Sequence, residues 1–175
     1  MNFAISTSIV TLLVLSACAP KSTEEVASSK DVSLEAPTKP AVETVNGVTT
    51  VRIEGNDRMQ YTLTEFSVKS GDTVRIIFEN TGQSAKAVMG HNVVVLKQAV
   101  NANTYASKAA LARDADFIPS SEAESVIAKT KLLGPDESDT IEFVAPEPGE
   151  YVYLCSFPAH CFAGMRGVMT VIAAE

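Results

Sequence analysis

Tryptophan is absent from this chain of 175 residues, histidine occurs only twice, and aromatic residues make up 6%. The three cysteines, Cys18, Cys155 and Cys161, are too few and too unevenly placed to form a disulfide framework, so the fold must rest on a hydrophobic core. Basic residues are scarce: 14 Lys and Arg against 21 Asp and Glu leave a formal charge of -7. A surface that binds phosphates needs clustered cations, so this balance excludes nucleic acid as a partner. There is no run of five like charges, which leaves the acidity to serve solubility and the choice of a charge-complementary partner. No apolar run reaches the about 20 residues that a membrane-spanning helix requires.

The apolar residues at the start are too short for a span and read instead as a cleaved signal. Residues 1–17 are apolar or small, and they end in Leu15-Ser16-Ala17 before Cys18, which resembles a bacterial lipoprotein signal cleaved so that Cys18 becomes a lipidated N-terminus. No Lys or Arg precedes the apolar run, a departure from the usual pattern. Acyl chains would anchor such a terminus, each buried methylene contributing about 0.8 kcal/mol. Residues 18–47 are rich in Ser, Thr, Pro, Glu and Lys and show no hydrophobic period, which predicts a disordered tether. The expected placement is extracytoplasmic and lipid-anchored, on the periplasm-facing outer membrane if the cell has two membranes, because Ala19 rather than Asp follows the lipid site.

Residues 48–175 form the predicted folded domain. Short β-type runs cover 48–54, 61–68, 73–79, 92–97, 140–144, 150–155 and 167–173, separated by turn signals such as Ser70-Gly71-Asp72 and Pro146-Glu147-Pro148-Gly149. The pattern predicts an all-β sandwich or barrel. Residues 101–116 are Ala-rich and predict one short helical flap between strands.

Chemistry concentrates near the C-terminus. Cys155, His160 and Met165 place a thiol, an imidazole and a thioether within eleven residues. Two imidazoles and a thiolate with a weak thioether suit copper, because the set compromises between the preferences of its two oxidation states. The second imidazole must come from His91, the other histidine of the chain. Gly90 would let a backbone carbonyl approach the metal, Asn92 could hydrogen-bond to the Cys155 loop and fix its shape, and Pro158 stiffens that loop.

Met89-Gly90-His91-Asn92 and the loop from Cys155 to Met165 resemble those of the azurins, blue-copper cupredoxins. The resemblance covers most of residues 48–175, including the stretch 126–134 and the flap before it, which plastocyanins lack. Four residues separate His160 from Met165, one more than in typical azurins and similar to auracyanin. The resemblance implies a Greek-key β-sandwich or barrel and a single copper ion held by His91, Cys155, His160 and Met165, with the Gly90 carbonyl as a weak fifth contact. It implies a non-enzymatic carrier of single electrons whose transient partners are redox proteins such as cytochromes or copper oxidoreductases. Phe157, Ala159, Phe162 and Ala163 would form the docking surface around an exposed edge of His160. Azurins usually carry a disulfide near their start and often a core Trp, and this chain has neither. Asn80 stands about where many azurins have a histidine linked to pH-dependent behaviour, so little such coupling is expected.

Rival readings fit less well. Copper storage or delivery calls for several exchangeable Met or His ligands, and the chain has five Met and two His. Copper enzymes of this fold need a further metal with its own histidines, and a Cys-His hydrolase needs the thiol free. Cys161 is separated from Cys155 by five residues, whereas a dinuclear copper site needs a separation of three. Its expected role is a partly buried thiol, or a reversible disulfide with Cys155 in copper-free protein under oxidising conditions.

Overall fold

Alternating apolar and polar residues give each long strand one buried face. In β2 (Val48–Asn56) Thr49, Val51, Ile53 and Gly55 point inward, and in β5 (Thr73–Asn80) Val74, Ile76, Phe78 and Asn80 do the same. The computed structural model describes residues 39–174. The predicted signal segment, Cys18 and the predicted tether as far as residue 38 lie outside the described residues.

Two five-stranded sheets result among the described residues. The first runs β1 (Val42–Val45), β2, β5, β8 (Ser138–Val144), with β3 (Gln60–Tyr61) paired to β2. The second runs β4 (Glu65–Lys69), β10 (Arg166–Ile172), β9 (Gly149–Leu154), β6 (Val94–Leu96), β7 (Val126–Lys129). Pairs β2–β5 and β4–β10 are parallel and the others antiparallel, so both sheets are mixed. Their inner faces share one core, in which Val51, Ile53, Val74, Ile76 and Phe78 meet Phe66, Val68, Tyr151, Tyr153, Met169 and Val171.

Helical content is minor. Helix α1 (Lys86–Met89) immediately precedes Gly90 and His91. Helix α2 (Ala102–Ala109) is capped by Asn101, whose Oδ1 accepts the Thr104 N–H at 2.9 Å. Tyr105, Ala106 and Ala109 of α2 cover Val94, Leu96 and Leu154 on the outer side of the second sheet, making a smaller second core that also holds Cys161.

Several predicted boundaries move for identifiable reasons. Residues 42–45, placed by sequence in the tether, form β1 because a two-residue turn with Asn46 and Gly47 at positive φ folds them back onto β2. The predicted strand 61–68 is two strands, since the chain changes sheets between β3 on β2 and β4 on β10. The predicted helix 101–116 stops at Ala109, followed by a short 3-10 turn (Arg113–Ala115) and by Asp116 and Phe117 at positive φ. Strand β7 was not predicted, although residues 126–129 lie in the stretch that resembles azurins.

Gly167 faces Tyr153 across the β9–β10 ladder. A Cβ there would overlap the Tyr153 ring and lie 2.5 Å from the Thr64 carbonyl. The tyrosine is itself pinned, its hydroxyl donating to the Leu63 carbonyl at 2.7 Å. Gly167→Ala is therefore expected to destabilise the domain by about 3 kcal/mol, at the upper end of overpacking costs. Urea unfolding should show a lower midpoint at unchanged slope.

Candidate metal centre

His91 is fixed by its backbone before its ring is considered. Its N–H donates to the Leu133 carbonyl at 3.1 Å, and the Leu133 N–H returns a bond to the His91 carbonyl at 2.7 Å. Cys155 directly follows β9, and its N–H donates to the Met165 carbonyl at 3.0 Å. The loop between them turns tightly: His160 N–H donates to Phe157, Met165 N–H donates to His160, and Ala159 takes a φ of 71°, a region few non-glycine residues occupy. Asn92 joins the two segments. Its Oδ1 accepts the Ser156 N–H at 2.9 Å and its Nδ2 donates to Ser156 Oγ at 2.8 Å. The Tyr61 hydroxyl donates to the Asn92 carbonyl at 2.5 Å and holds that residue from the core side.

Three side chains converge as a result. His91 Nδ1 lies 3.1 Å from His160 Nδ1, and Cys155 Sγ lies 3.9 Å and 3.4 Å from these two nitrogens. Among the described residues His91, Cys155 and His160 are the cluster able to hold a metal ion. His91 and Cys155 are fully buried and His160 keeps 2% of its surface. The His91 Nε2 is sealed without a hydrogen-bond partner, so the ring is oriented by packing and by what Nδ1 meets. One thiol and two imidazoles, with their donor atoms crowded together, fit a copper ion.

Burial keeps all three donors neutral. The Cys155 thiol is pushed up to about 12 by loss of solvent, with backbone N–H groups of Asn92 and Phe157 opposing the rise. His160 falls to about 4, chiefly through burial and secondarily through His91. Burial also lowers His91, although the Asp57 carboxylate and the Asn56 carbonyl, which lies outside good hydrogen-bond geometry, act the other way.

Met165 is fully buried in the main core. Its methyl group sits against Gly55 and Phe78: a Cβ on Gly55 would lie 2.9 Å from Met165 Cε and 3.0 Å from Phe78 Cζ. Gly90 is buried, and a Cβ there would meet the Lys86 carbonyl at 2.7 Å and Leu132. The glycine is thus required by the close turn of α1. Asn80 uses both ends of its amide in structure, donating to Leu133 O and accepting from Gly82 N–H, and it carries no titratable proton. Sequence reasoning passed over Gly55, Tyr61 and Ser156. An isolated glycine inside a strand pattern does signal close approach of another group, and Gly55 is such a case.

Around the loop, Phe157 packs on the His160 ring at 4.7 Å between centroids, with Phe117 edge-on against it at 4.9 Å. Pro158 is half-buried, Ala159 and Ala163 are exposed, and Phe162 is 57% exposed. Cys161 turns away from the site into the second core, and both it and Cys155 are free thiols. In this fold the two are unpaired, and the disulfide that is the alternative role of Cys161 would require one side chain to leave its core, since they lie on either side of the second sheet.

Metal uptake must displace the Cys155 proton, whereas both imidazoles are already neutral above pH 7. The affinity for Cu(II) should therefore rise about tenfold per pH unit between pH 7 and 9, the signature of one released proton. A competition titration at fixed ionic strength measures the slope. Gly55→Ala should push Met165 out of place, lowering stability by about 1–3 kcal/mol and changing the visible spectrum of the copper-loaded protein.

Comparison with known proteins agrees with this geometry. Residues 48–172 match the family model of copper binding proteins, the plastocyanin/azurin family. Azurin-1 of Alcaligenes xylosoxydans xylosoxydans is 39% identical over 126 residues, covering 70% of this chain and 96% of its own. The outer membrane protein H.8 of Neisseria meningitidis serogroup B is 35% identical over 123 residues, covering 69% of this chain and 66% of its own. Among solved structures, dithionite-reduced auracyanin from the photosynthetic bacterium Roseiflexus castenholzii superposes with a TM-score of 0.60 at 40% identity, covering 70% of this chain and 96% of that one. The fold is of the cupredoxin type, and the His-Cys-His cluster, the one such site among the described residues and of the kind found in non-catalytic electron carriers, is consistent with one copper ion per chain. The chain belongs to the plastocyanin/azurin family of copper-binding proteins.

Proposed function

We propose that this protein is a membrane-tethered blue-copper electron carrier, in which His91, Cys155, His160 and Met165 hold the metal and the Gly90 carbonyl makes a weaker contact. The observation that carries the proposal is the meeting of His91 Nδ1, His160 Nδ1 and Cys155 Sγ within 3.1 to 3.9 Å in a buried pocket. Bound copper would supply a couple that accepts and gives one electron at a time. The protein's part is to keep the donors where they are. Both hydrogen bonds of Asn92 to Ser156, together with the Leu133 bridge to His91, oppose any relaxation of the ligands between oxidation states. Water is excluded, and the low-dielectric surroundings leave the thiol as the one donor that must lose a proton.

The reading takes residues 48–175, with β1 added in front, as the cupredoxin domain in Greek-key order, and the segment before it as a signal and a tether lipidated at Cys18. The composition of that segment and the outer membrane name of the meningococcal relative support the anchor. Electrons would pass through the side of the site where His160 keeps some surface. Phe157 packs on the His160 ring, Ala159, Phe162 and Ala163 are exposed residues of the same loop, and a groove of about 540 Å³ adjoins Phe157 and Pro158, lined by Ala87, Val88, Phe117 and Leu132 together with the charged Lys86, Arg113 and Asp116. Such a surface suits brief encounters with cytochromes or copper oxidoreductases. Ligands with 0 to 2% exposure argue against copper delivery, which needs exchangeable donors.

The absorption spectrum of the copper-loaded protein tests the proposal. An intense thiolate charge-transfer band that bleaches on reduction and is lost in Cys155→Ser, while the circular dichroism of the fold is kept, is the expected result. Protein that stays colourless with added Cu(II), or a band that survives Cys155→Ser, would overturn it.

A further inference from the structure

Helix α2 touches the ligand loop at two points, and each point is the immediate neighbour of a residue assigned to the metal. Cys161 follows His160, and its thiol points to the Ala102 carbonyl at 3.9 Å while its side chain packs with Tyr105, Ala106 and Ala109. Arg166 follows Met165, and its Nη1 donates to Asn103 Oδ1 at 3.2 Å. Ala102 and Asn103 are consecutive residues of the first turn of α2. Within the loop, Ala163 N–H donates to Ala159 and Gly164 N–H donates to Cys161, which closes the backbone of residues 159–164 on itself and leaves the Cys161 side chain to reach the second sheet at Val94 and Leu154. The helix itself is held at both ends. Asn101 caps its start, and Lys108 near its end is paired with Glu122, which also accepts from Ser125 Oγ at 2.8 Å.

We infer that α2 is a clamp on the ligand loop, its Ala102-Asn103 turn gripping Cys161 and Arg166 so that His160 and Met165 are set at fixed positions relative to Cys155. Asn103 and Arg166 are positioning residues, since neither touches the metal donors. The inference rests on the assignment of His160 and Met165 as ligands, and it gives the flap a task in the metal site beyond covering the second sheet. A loop held only by its own turns would open as a unit. With the clamp, opening must also break the Arg166 to Asn103 bond and withdraw Cys161 from the second core, so the loop stays organised before any metal arrives.

The test compares Asn103→Ala, Arg166→Ala and the double variant with a control, Tyr105→Phe. Asn103 and Arg166 are both exposed, so their removal spares the two cores. The control removes a sealed hydroxyl that has no hydrogen-bond partner and leaves both grips in place. In the copper-free protein, amide exchange of residues 163–165 should quicken by about fivefold in Asn103→Ala, by at least as much in Arg166→Ala, whose guanidinium also meets the Cys161 thiol, and in the double by no more than in Arg166→Ala. In the copper-loaded protein the same variants should shift the ratio of the thiolate-to-copper bands, and the reduction potential, in a common direction. Tyr105→Phe should leave the loop exchange, the band ratio and the potential unchanged. Loop exchange and band ratio that stay at wild-type values while only the thermal midpoint falls would overturn the clamp, and so would an effect of Arg166→Ala that Asn103→Ala does not share. If the wild-type protein shows no blue band, the copper assignment fails, and exchange in the copper-free protein still decides whether α2 holds the loop.

Discussion

The register of β6 against β9 is the constraint on which the metal site depends. Val94 faces Leu154 and Val95 faces Tyr153. Continuing that antiparallel register past the ladder sets Val93 beside Cys155 and Asn92 beside Ser156, so the Asn92 to Ser156 bonds extend the same pairing with side chains in place of backbone. A slip of one residue would turn Cys155 from the main core to the second core and leave Asn92 without its partner. Removing Asn92 alone would orphan the buried Ser156 N–H, a cost of about 1–3 kcal/mol. Two regions 64 residues apart in sequence are thus brought together by ordinary strand pairing, and the ligands follow.

Neutrality of the donors follows from the same burial. An isolated charge in this pocket would be expensive, and the fold avoids it by holding a protonated thiol and two uncharged imidazoles. One consequence is directional. A metal cation entering the pocket replaces one proton on sulfur, so one unit of the charge it brings, half of that of Cu(II), is met by a thiolate that forms only as the cation arrives. Asp57 stands outside the pocket, with its carboxylate lowered first by the Gln83 N–H and then by the Ser84 groups, and it is the anion that acts on His91.

Much of the site was legible because its chemistry is local: Cys155, His160 and Met165 share one loop, and His91 was the only histidine left to join them. The long strands were legible for a similar reason, since β2 and β5 alternate cleanly. What sequence could not give depends on distant partners. Strand β1 carries a tether-like composition and is a strand only because β2 offers it an edge. Residues 62–64 look continuous with the runs on either side, but the chain changes sheets there, which no local pattern records. Gly55 matters because Met165, 110 positions later, brings its methyl group there, and Gly90 matters because of a helix too short to be read from periodicity. Besides the role expected for its carbonyl, Gly90 answers a close turn against Lys86 that has no room for a Cβ.

Cys161 shows how far neighbours in sequence can be separated in chemistry. It adjoins His160, and its thiol is as well buried as that imidazole. Yet the turn that directs His160 toward Cys155 sends the next side chain to the opposite side of the loop, where Leu154, Val94 and α2 receive it. Burial raises the Cys161 thiol, with Arg166 opposing the rise, so it remains a protonated apolar group. The second sheet thereby acts as a partition. Sulfur on one side meets two imidazoles and is available to a metal, and sulfur on the other is packing for the flap, which is why a chain with two thiols in its ligand region still builds a mononuclear centre.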